Sequence, residues 1–324
     1  MKRLALGLSL AALMCAALPT LSQAGTINYN FQTINFPGDT FTQLLGINNS
    51  GTIAGYHGAT INEGFTLTLP NNFVLEDFPN STNTQVIGIN NTGLTDGFYV
   101  STAGVTNGFI YNGSTYTTAD APGTAFNQLL GINNQGTAAG YSSTDPTGAT
   151  LQMAYVRASN GSYTYLNSLL PGGIGNSQAT GVNNAGEISG FYLTDNGADS
   201  TGFLLDNGTL TNLLFPGSTF TQALGVNNNG ETVGFYVDAQ GNMHGFVYIN
   251  GTYTEVNDPN GLDTTLVNGV NDLGQLVGFY VDANGNTDGF VASTTPEPAT
   301  LFLFGAGLLG LGMFVRRKKL AASL

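Results

Sequence analysis

The chain has 324 residues, is rich in glycine, and carries charged side chains at only 8% of its positions. Its single cysteine, Cys15, excludes a disulfide framework and a cysteine-ligated metal in the rest of the chain. Residues 25–295 hold 19 acidic residues and one basic residue, Arg157. Because such a surface repels phosphate backbones, we do not expect nucleic-acid binding.

Residues 1–24 have the features of a secretory signal peptide. Lys2 and Arg3 precede an apolar run, and Ser22-Gln23-Ala24 forms a small-x-small cleavage site before Gly25. Acylation of Cys15, as in a lipoprotein, is an alternative, although Met14 before it fits that processing poorly. We therefore predict an exported protein whose repeat domain covers residues 25–293.

One motif, Gly-Ile/Val-Asn-Asn/Asp, recurs six times along the middle of the chain. The copies begin at Gly46, Gly88, Gly131, Gly181, Gly225 and Gly269. Each is followed about twenty residues later by Gly-Phe or a close variant, and then by a turn that contains proline. Spacings of 42 to 50 residues fit four short strands with their turns, the size of a β-propeller blade.

In the fifth copy the residue pattern predicts four antiparallel strands. They are expected at about 222–226, 231–237, 245–249 and 252–256, and Asn250-Gly251 is a strong signal for a two-residue hairpin. Gly225 and Gly234 fall in mid-strand, where glycine normally weakens a sheet. We therefore expect a neighbouring backbone to approach closely there.

The two ends of the array predict how it closes. The sixth copy stops after Gly289-Phe290-Val291-Ala292, before a fourth strand, whereas residues 27–38 look like the end of a copy. Joining this N-terminal strand to the last blade would remove an exposed edge. We predict an all-β, six-bladed β-propeller closed in this way, with an open β-solenoid as the alternative.

The copies also resemble the HAF-type extracellular repeat, whose signatures are Gly-Ile-Asn-Asn-x-Gly and His-Ala-Phe. The second signature is nearest at His244-Gly245-Phe246, and the resemblance spans about residues 41–292. It implies an exported protein and supplies no catalytic residue. At the position of the His-Ala-Phe signature, histidine is present in one copy of six, and every Gly-Phe site has glycine in place of the alanine.

One loop has oxygen-bearing side chains at alternating positions, as Ca²⁺ sites do. The candidate ligands are Asp282, Asn284, Asn286 and Asp288. The glycine of this loop is at the fourth position rather than the sixth of an EF-hand loop. A plain strand-connecting turn is the alternative, since Asp, Asn and Gly favour turns for backbone reasons alone.

No recognised catalytic motif is present, so we predict a non-enzymatic protein and name no catalytic residue. His57 and His244 lack neighbours with zinc-ligand spacing. A glycosidase with two facing carboxylates is left open, because the acidic residues are scattered along the chain.

Amide side chains recur at fixed positions around each repeat glycine. Glutamine stands three residues before it in five copies, at Gln43, Gln85, Gln128, Gln178 and Gln222, with Leu266 in the sixth. Two asparagines, or Asn271-Asp272 in the sixth copy, directly follow the Ile or Val of the motif. These amides could hold sugar hydroxyls, but a feature of every repeat is more typical of turns and contacts between repeats.

The C-terminal region, residues 294–324, predicts a sorting signal in three parts. Pro296, Glu297 and Pro298 precede an apolar segment at 299–315, long enough to span a thin bilayer as a helix, and four basic residues follow. The basic end is expected to stay cytoplasmic.

This arrangement resembles the PEP-CTERM sorting signal. The resemblance implies a Gram-negative exporter of polysaccharide, and an exosortase-type enzyme that recognises Pro296, Glu297 and Pro298 and removes the tail. We therefore expect a surface or extracellular-matrix protein associated with exopolysaccharide and without a cofactor, unless the loop at 282–288 binds Ca²⁺. A glycan- or Ca²⁺-binding module and a polysaccharide-cleaving enzyme are the alternatives.

Overall fold

The structure, a computed structural model, describes residues 28–171, 176–194 and 197–294. The predicted signal peptide, the sorting residues Pro296, Glu297 and Pro298, and the predicted membrane helix at 299–315 lie outside these ranges. None of the described residues belongs to a helix long and apolar enough to cross a membrane.

The described chain is built from antiparallel strands, with one 3-10 turn at Asn167–Leu169. Three of the repeats form separate four-stranded sheets in chain order. The first contains β2 (Thr42–Ile47), β3 (Thr52–His57), β4 (Glu63–Thr68) and β5 (Asn72–Leu75). The second contains β6 (Ser81–Ile89), β7 (Thr95–Ser101), β8 (Thr106–Tyr111) and β9 (Tyr116–Thr118). The third contains β10 (Phe126–Ile132), β11 (Ala138–Ser143), β12 (Met153–Arg157) and β13 (Tyr163–Tyr165).

The next two repeats share a single eight-stranded sheet. One half contains β14 (Ser177–Val182), β15 (Ile188–Thr194), β16 (Asp199–Asp206) and β17 (Thr209–Leu213). The other half contains β18 (Phe220–Val226), β19 (Thr232–Val237), β20 (Met243–Ile249) and β21 (Thr252–Val256). The halves are joined by one parallel bridge, Ser200 to Phe220.

The sixth repeat is completed by the N-terminal strand, as the sequence predicts. Its sheet has the order β1 (Tyr29–Ile34), β24 (Thr287–Thr294), β23 (Leu276–Val281) and β22 (Thr265–Val270). The β1–β24 pairing is antiparallel and runs from Tyr29 opposite Thr294 to Ile34 opposite Gly289.

These sheets form an all-β, propeller-like ring, but the prediction of six separate blades needs correction. Four blades stand as separate four-stranded sheets, and the two remaining repeats are linked into one sheet by the Ser200–Phe220 bridge. The alternative of an open solenoid is wrong, because the last repeat hydrogen-bonds to the first: Asn271 Nδ2 lies 3.0 Å from the Asn48 carbonyl oxygen.

The aromatic residue of the Gly-Phe marker forms the core of every repeat. All six side chains are fully buried, at Phe65, Phe109, Tyr155, Phe203, Phe246 and Phe290. Each core cluster joins neighbouring repeats; one of them packs Leu44 and Phe65 of the first repeat against Val277 and Val291 of the sixth. Burial of apolar surface between sheets is therefore the main stabilising contribution to the ring.

The mid-strand glycines have two different causes. A Cβ on Gly225 would lie 2.9 Å from the Asn268 carbonyl oxygen of the next repeat, which confirms the expected approach between repeats. A Cβ on Gly234 would instead meet Gln222 and Ala223 of its own sheet. The backbone that approaches Gly234 therefore belongs to the adjacent strand of the same sheet rather than to another repeat.

Candidate functional site: the axial channel

The inner edge strand of each repeat faces a common axis. At one end of this axis is a cavity to which all six repeats contribute the same five positions, from the residue before the repeat glycine to the second residue of the asparagine pair. The Gly-Ile/Val-Asn motif thus recurs because it builds the wall of one channel.

The first asparagine of each pair forms what we call the asparagine ring. Its members are Asn48, Asn90, Asn133, Asn183, Asn227 and Asn271. Each Nδ2 donates to the backbone carbonyl of the next member at 2.8–3.1 Å, and the sixth donates to the first. Each Oδ1 accepts backbone N–H groups of its own turn, as Asn48 does from Ser50 and Thr52. Both ends of these amides are therefore used by the protein itself.

The second residue of each pair closes an outer ring. Its backbone N–H donates to the side-chain oxygen of the next repeat at 2.8–2.9 Å, again around the full circle. Asp272 replaces the sixth asparagine, and its Oδ2 accepts from Asn49 and Asn228 at 2.7 and 2.8 Å. Although partial burial alone would raise the pKa of Asp272, these hydrogen bonds hold it below its ordinary value. The paired asparagines are therefore contacts between repeats, as the structural interpretation predicts.

The six repeat glycines form a belt next to the asparagine ring. A Cβ on Gly46 would lie 2.7 Å from the Ile87 carbonyl oxygen, and one on Gly269 would lie 2.5 Å from that of Leu45. Both contacts are with the backbone of the next repeat, which cannot move away easily. The glycine belt therefore sets how closely the inner strands approach each other.

A second cavity, of about 270 Å³, lies at the other end of the channel. The five recurrent glutamines line it, and we call it the glutamine mouth. Its aromatic lining residues are Tyr56, Phe98 and Phe191. None of its lining side chains is charged. The five glutamines thus line one cavity. The only sign of this in the sequence is that they recur at the same position in each repeat.

The glutamine amides differ in the hydrogen bonds that they make. Gln43 accepts from the Tyr56 hydroxyl at 2.8 Å, and Gln85 and Gln178 donate to Asn62 and Gln152 at 2.7 and 3.0 Å. Within the described part of the chain, the Gln128 and Gln222 amides have no hydrogen-bond partner among protein atoms.

The aromatic residues of this mouth were missed by the sequence reasoning. Tyr56, Phe98 and Phe191 lie directly opposite Gln43, Gln85 and Gln178 on the neighbouring strands. A constant spacing of 13 residues between the glutamine and an aromatic residue was the signal that could have found them.

The predicted Ca²⁺ ligands lie in and after the β23–β24 turn. Asp282 Oδ1 accepts the backbone N–H groups of Asn284 and Asn286 at 2.8 Å, and Oδ2 accepts from their side-chain amides at 3.2 and 2.9 Å. Asp288 is already in β24, where it accepts from Asn35 Nδ2 at 2.6 Å. The structure therefore gives Asp282 a turn-stabilising role, and Ca²⁺ binding stays a prediction.

The two histidines lie in separate polar clusters of the repeat sheets. His57 stacks on Phe36, and its Nδ1 lies 2.8 Å from Asp39 Oδ2. His244 Nε2 lies 3.1 Å from Asp238 Oδ2. Within the described ranges, no group of three His, Cys, Asp or Glu side chains is close enough to hold a metal.

One buried carboxyl next to the channel was not singled out from the sequence. Asp96 pairs with Gly88 in the β6–β7 ladder, and its side chain is fully buried. Burial raises its pKa to about 8, although the backbone N–H groups of Gly88 and Gly131 lie close. The corresponding residues opposite the repeat glycine include Ala54 and Ala139.

Solved structures similar to this chain include a fungal lectin, AofleA and TolB. A fucose-recognising lectin from Aleuria aurantia, described as a six-bladed β-propeller, has 11% identity and a TM-score of 0.48 over 79% of this chain and 96% of its own. AofleA from Arthrobotrys oligospora has 8% identity and a TM-score of 0.47, covering 83% and 84% of the two chains. TolB from Acinetobacter baumannii has 12% identity and a TM-score of 0.49, covering 78% and 63%. At these values the similarities say nothing about what the present chain binds.

No curated protein matches the chain significantly. The resemblance to HAF-type repeats therefore stays a prediction. The C-terminal resemblance is confirmed: residues 294–318 match the PEP-CTERM protein-sorting motif, which implies processing by an exosortase-type system and export to the cell envelope of a Gram-negative bacterium.

Proposed function

We propose that the protein is a non-enzymatic component of the cell surface or extracellular matrix that binds the exopolysaccharide of its producer. The observation that carries the proposal is a PEP-CTERM sorting motif on a chain whose repeats enclose an amide-lined channel. The first feature accounts for export, and the second offers hydrogen-bond donors and acceptors to hydroxyl groups.

We further propose that the ring consists of six blades. The eight-stranded sheet counts as two of them, because its halves each repeat the four-strand pattern and share one bridge pair. The closed circle of six hydrogen bonds in the asparagine ring supports the same count.

The acidic surface favours a matrix role over an intracellular nucleic-acid role. A formal charge of −13 for the whole chain keeps the protein soluble and repels phosphate backbones. In this proposal the C-terminal segment at 299–315 holds the chain in the membrane until the tail is removed.

The test is binding of the full-length chain, purified in detergent, to exopolysaccharide isolated from its producer. Release of new reducing ends is measured in the same samples, with Ca²⁺ and with chelator. Saturable binding without new reducing ends supports the proposal. Release of reducing ends would establish a polysaccharide-cleaving enzyme instead, and no binding in either buffer would rule out the proposed function.

A further inference from the structure

The two ends of the channel differ in what they leave available to a ligand. In the asparagine ring, donors and acceptors are paired with backbone groups of the protein. In the glutamine mouth, the amides of Gln128 and Gln222 are unpaired within the described residues. An amide with two donors and an acceptor that the protein does not use is suited to hydrogen bonds with a ligand.

The inner end of the glutamine mouth is lined mainly by apolar side chains. Leu45, Ile87, Leu130 and Leu224 line both this cavity and the one at the asparagine end, so they lie between the two. Thr180 and Asn268 complete that layer, but Thr180 Oγ1 donates to the Ala223 carbonyl at 2.8 Å and Asn268 Nδ2 donates to that of Leu44 at 3.0 Å. The mouth therefore combines an aliphatic floor with amides and aromatic rings at its sides.

The lack of charged side chains in the lining favours a neutral ligand. The chain has a formal charge of −13, yet the glutamine mouth has no charged side chain. An ionised ligand would lose hydration there without gaining a counter-charge, which is costly. A neutral ligand with many hydroxyl groups and apolar C–H faces loses little, because amides can bind the hydroxyls and the rings and aliphatic floor can cover the C–H faces.

The size of the cavity limits how much of a ligand can enter. Its volume of about 270 Å³ is just below the roughly 300–1,000 Å³ of pockets that enclose drug-sized ligands. One or two sugar rings fit such a volume better than an extended chain segment.

We propose that the glutamine mouth binds neutral sugar units of a polysaccharide, with Gln128 and Gln222 as the hydrogen-bonding residues. This inference rests on the proposed function and adds to it the site and the charge class of the sugar. Anionic sugars such as uronic acids are expected to bind outside this mouth or not at all.

The experiment compares wild type with the double variant Gln128→Met, Gln222→Met in the full-length chain. Methionine keeps the length of glutamine and cannot form its hydrogen bonds. Gln240→Met is the matched control, since Gln240 is exposed in the β19–β20 turn. The ligands are exopolysaccharide from the producer and the same material after chemical reduction of its carboxyl groups, which converts uronic acids to neutral sugars.

The double variant is expected to bind both materials at least about tenfold more weakly, because it loses two hydrogen bonds that contribute about 0.5–1.5 kcal/mol each. The control should bind as wild type does. Carboxyl reduction and about 0.5 M salt should leave wild-type binding unchanged, because a neutral ligand is not screened. Melting temperatures establish that each variant is folded; if the double variant is not, each single variant should bind about threefold more weakly.

The outcomes separate this inference from the proposed function. Unchanged affinity of the folded variants, with wild type still binding, overturns the assignment of the mouth and leaves exopolysaccharide binding intact. Loss of wild-type binding on carboxyl reduction or in salt overturns the neutral-sugar assignment. Failure of wild type to bind exopolysaccharide overturns the proposed function, and the inference with it.

Discussion

Asn271 Nδ2 donates a hydrogen bond of 3.0 Å to the carbonyl oxygen of Asn48, across 223 residues of sequence. This bond is the sixth of a circle, and it joins the last repeat to the first. Both residues are buried, with exposed fractions of 3% and 6%. A buried carbonyl that loses its donor has no access to water as a substitute, so the bond matters to stability.

We expect Asn271→Asp to lower the melting temperature of the protein. The substitution keeps the side-chain acceptor for the turn and removes the donor, which leaves the Asn48 carbonyl facing a carboxyl oxygen. The expected cost is about 1–3 kcal/mol of unfolding free energy. Asn133→Asp, within the circle, should cost a similar amount because Asn133 donates in the same way to Asn183.

Asn72→Ala is the control for this pair, since Asn72 is exposed in the outermost strand of its sheet. It should change the unfolding free energy by less than about 0.5 kcal/mol. An Asn271→Asp protein that melts like wild type would show that the ring is not closed in solution.

We expect Gly46→Ala to destabilise the glycine belt strongly. Its Cβ would lie 2.7 Å from the Ile87 carbonyl oxygen and 3.2 Å from the Gly88 Cα, both backbone atoms of the next repeat. Overpacking of this kind costs about 1–3 kcal/mol, and here two inner strands would have to separate. Thermal unfolding of the purified chain measures the effect.

Gly113→Asn is the comparison, because it changes a glycine that has no close neighbour. Gly113 has φ +86° and open space around its Cβ position, and asparagine is a residue type that adopts positive φ elsewhere in this protein, at Asn207 and Asn250. The protein should tolerate this change with a loss of less than about 1 kcal/mol. Equal losses for the two variants would contradict contact between repeats as the reason for glycine at position 46.

Local pattern was enough to predict most of the fold. The four strands expected in the fifth repeat correspond to β18–β21 with differences of two residues or fewer at their ends. Asn250-Gly251 forms the expected turn with positive φ at both residues. Period and alternation suffice for these features because each is decided within a few residues of sequence.

The parts that could not be predicted depend on contacts between repeats. The Ser200–Phe220 bridge depends on how the first residues of β16 and β18 meet, which no local pattern encodes. Likewise, the sequence shows that glutamines and asparagines recur. It does not show that the asparagines are hydrogen-bonded to backbone, or that Gln128 and Gln222 have no partner for their amides among the described residues. The burial of Asp96 was missed because a single acidic residue in a strand normally indicates an exposed face.

For the β23–β24 turn we expect Asp282→Asn to lower the melting temperature even without Ca²⁺. The hydrogen bonds from Asn286 and Asn284 lower the pKa of Asp282, so the charged carboxylate stabilises the turn. Since the folded pKa is depressed, this stabilisation is present above the ordinary pKa of about 4 and is lost as the pH falls further.

Ca²⁺ binding at this turn is tested in the same experiment. If Asp282, Asn284, Asn286 and Asp288 bind Ca²⁺, added Ca²⁺ should raise the wild-type melting temperature and leave that of Asp282→Asn unchanged. Asp145→Asn is the control, because Asp145 also accepts hydrogen bonds within an exposed turn. Identical wild-type melting curves in Ca²⁺ and in chelator would contradict the predicted site.

Asp96 should make the protein less stable as the pH rises. Burial raises the pKa of this carboxyl from 3.8 to about 8, so the folded protein keeps a proton that the unfolded chain releases. Where the folded state binds more protons than the unfolded state, stability falls with increasing pH. The loss should therefore begin near pH 4 and continue to about pH 8.

We expect Asp96→Asn to remove this part of the pH dependence and to raise the melting temperature at pH 8, because the amide has nearly the same shape and never ionises. Glu76 and Asp120 also have raised pKa values through burial, so the wild-type slope has several sources. The difference between variant and wild-type melting temperatures, measured from pH 4 to pH 8, isolates Asp96. Asp206→Asn, at an exposed site, is the control.

Because Ala occurs opposite the repeat glycine at positions 54 and 139, Asp96→Ala should also fold. If the melting temperatures of Asp96→Asn and wild type change with pH in parallel, the pKa of Asp96 is not raised by burial in solution.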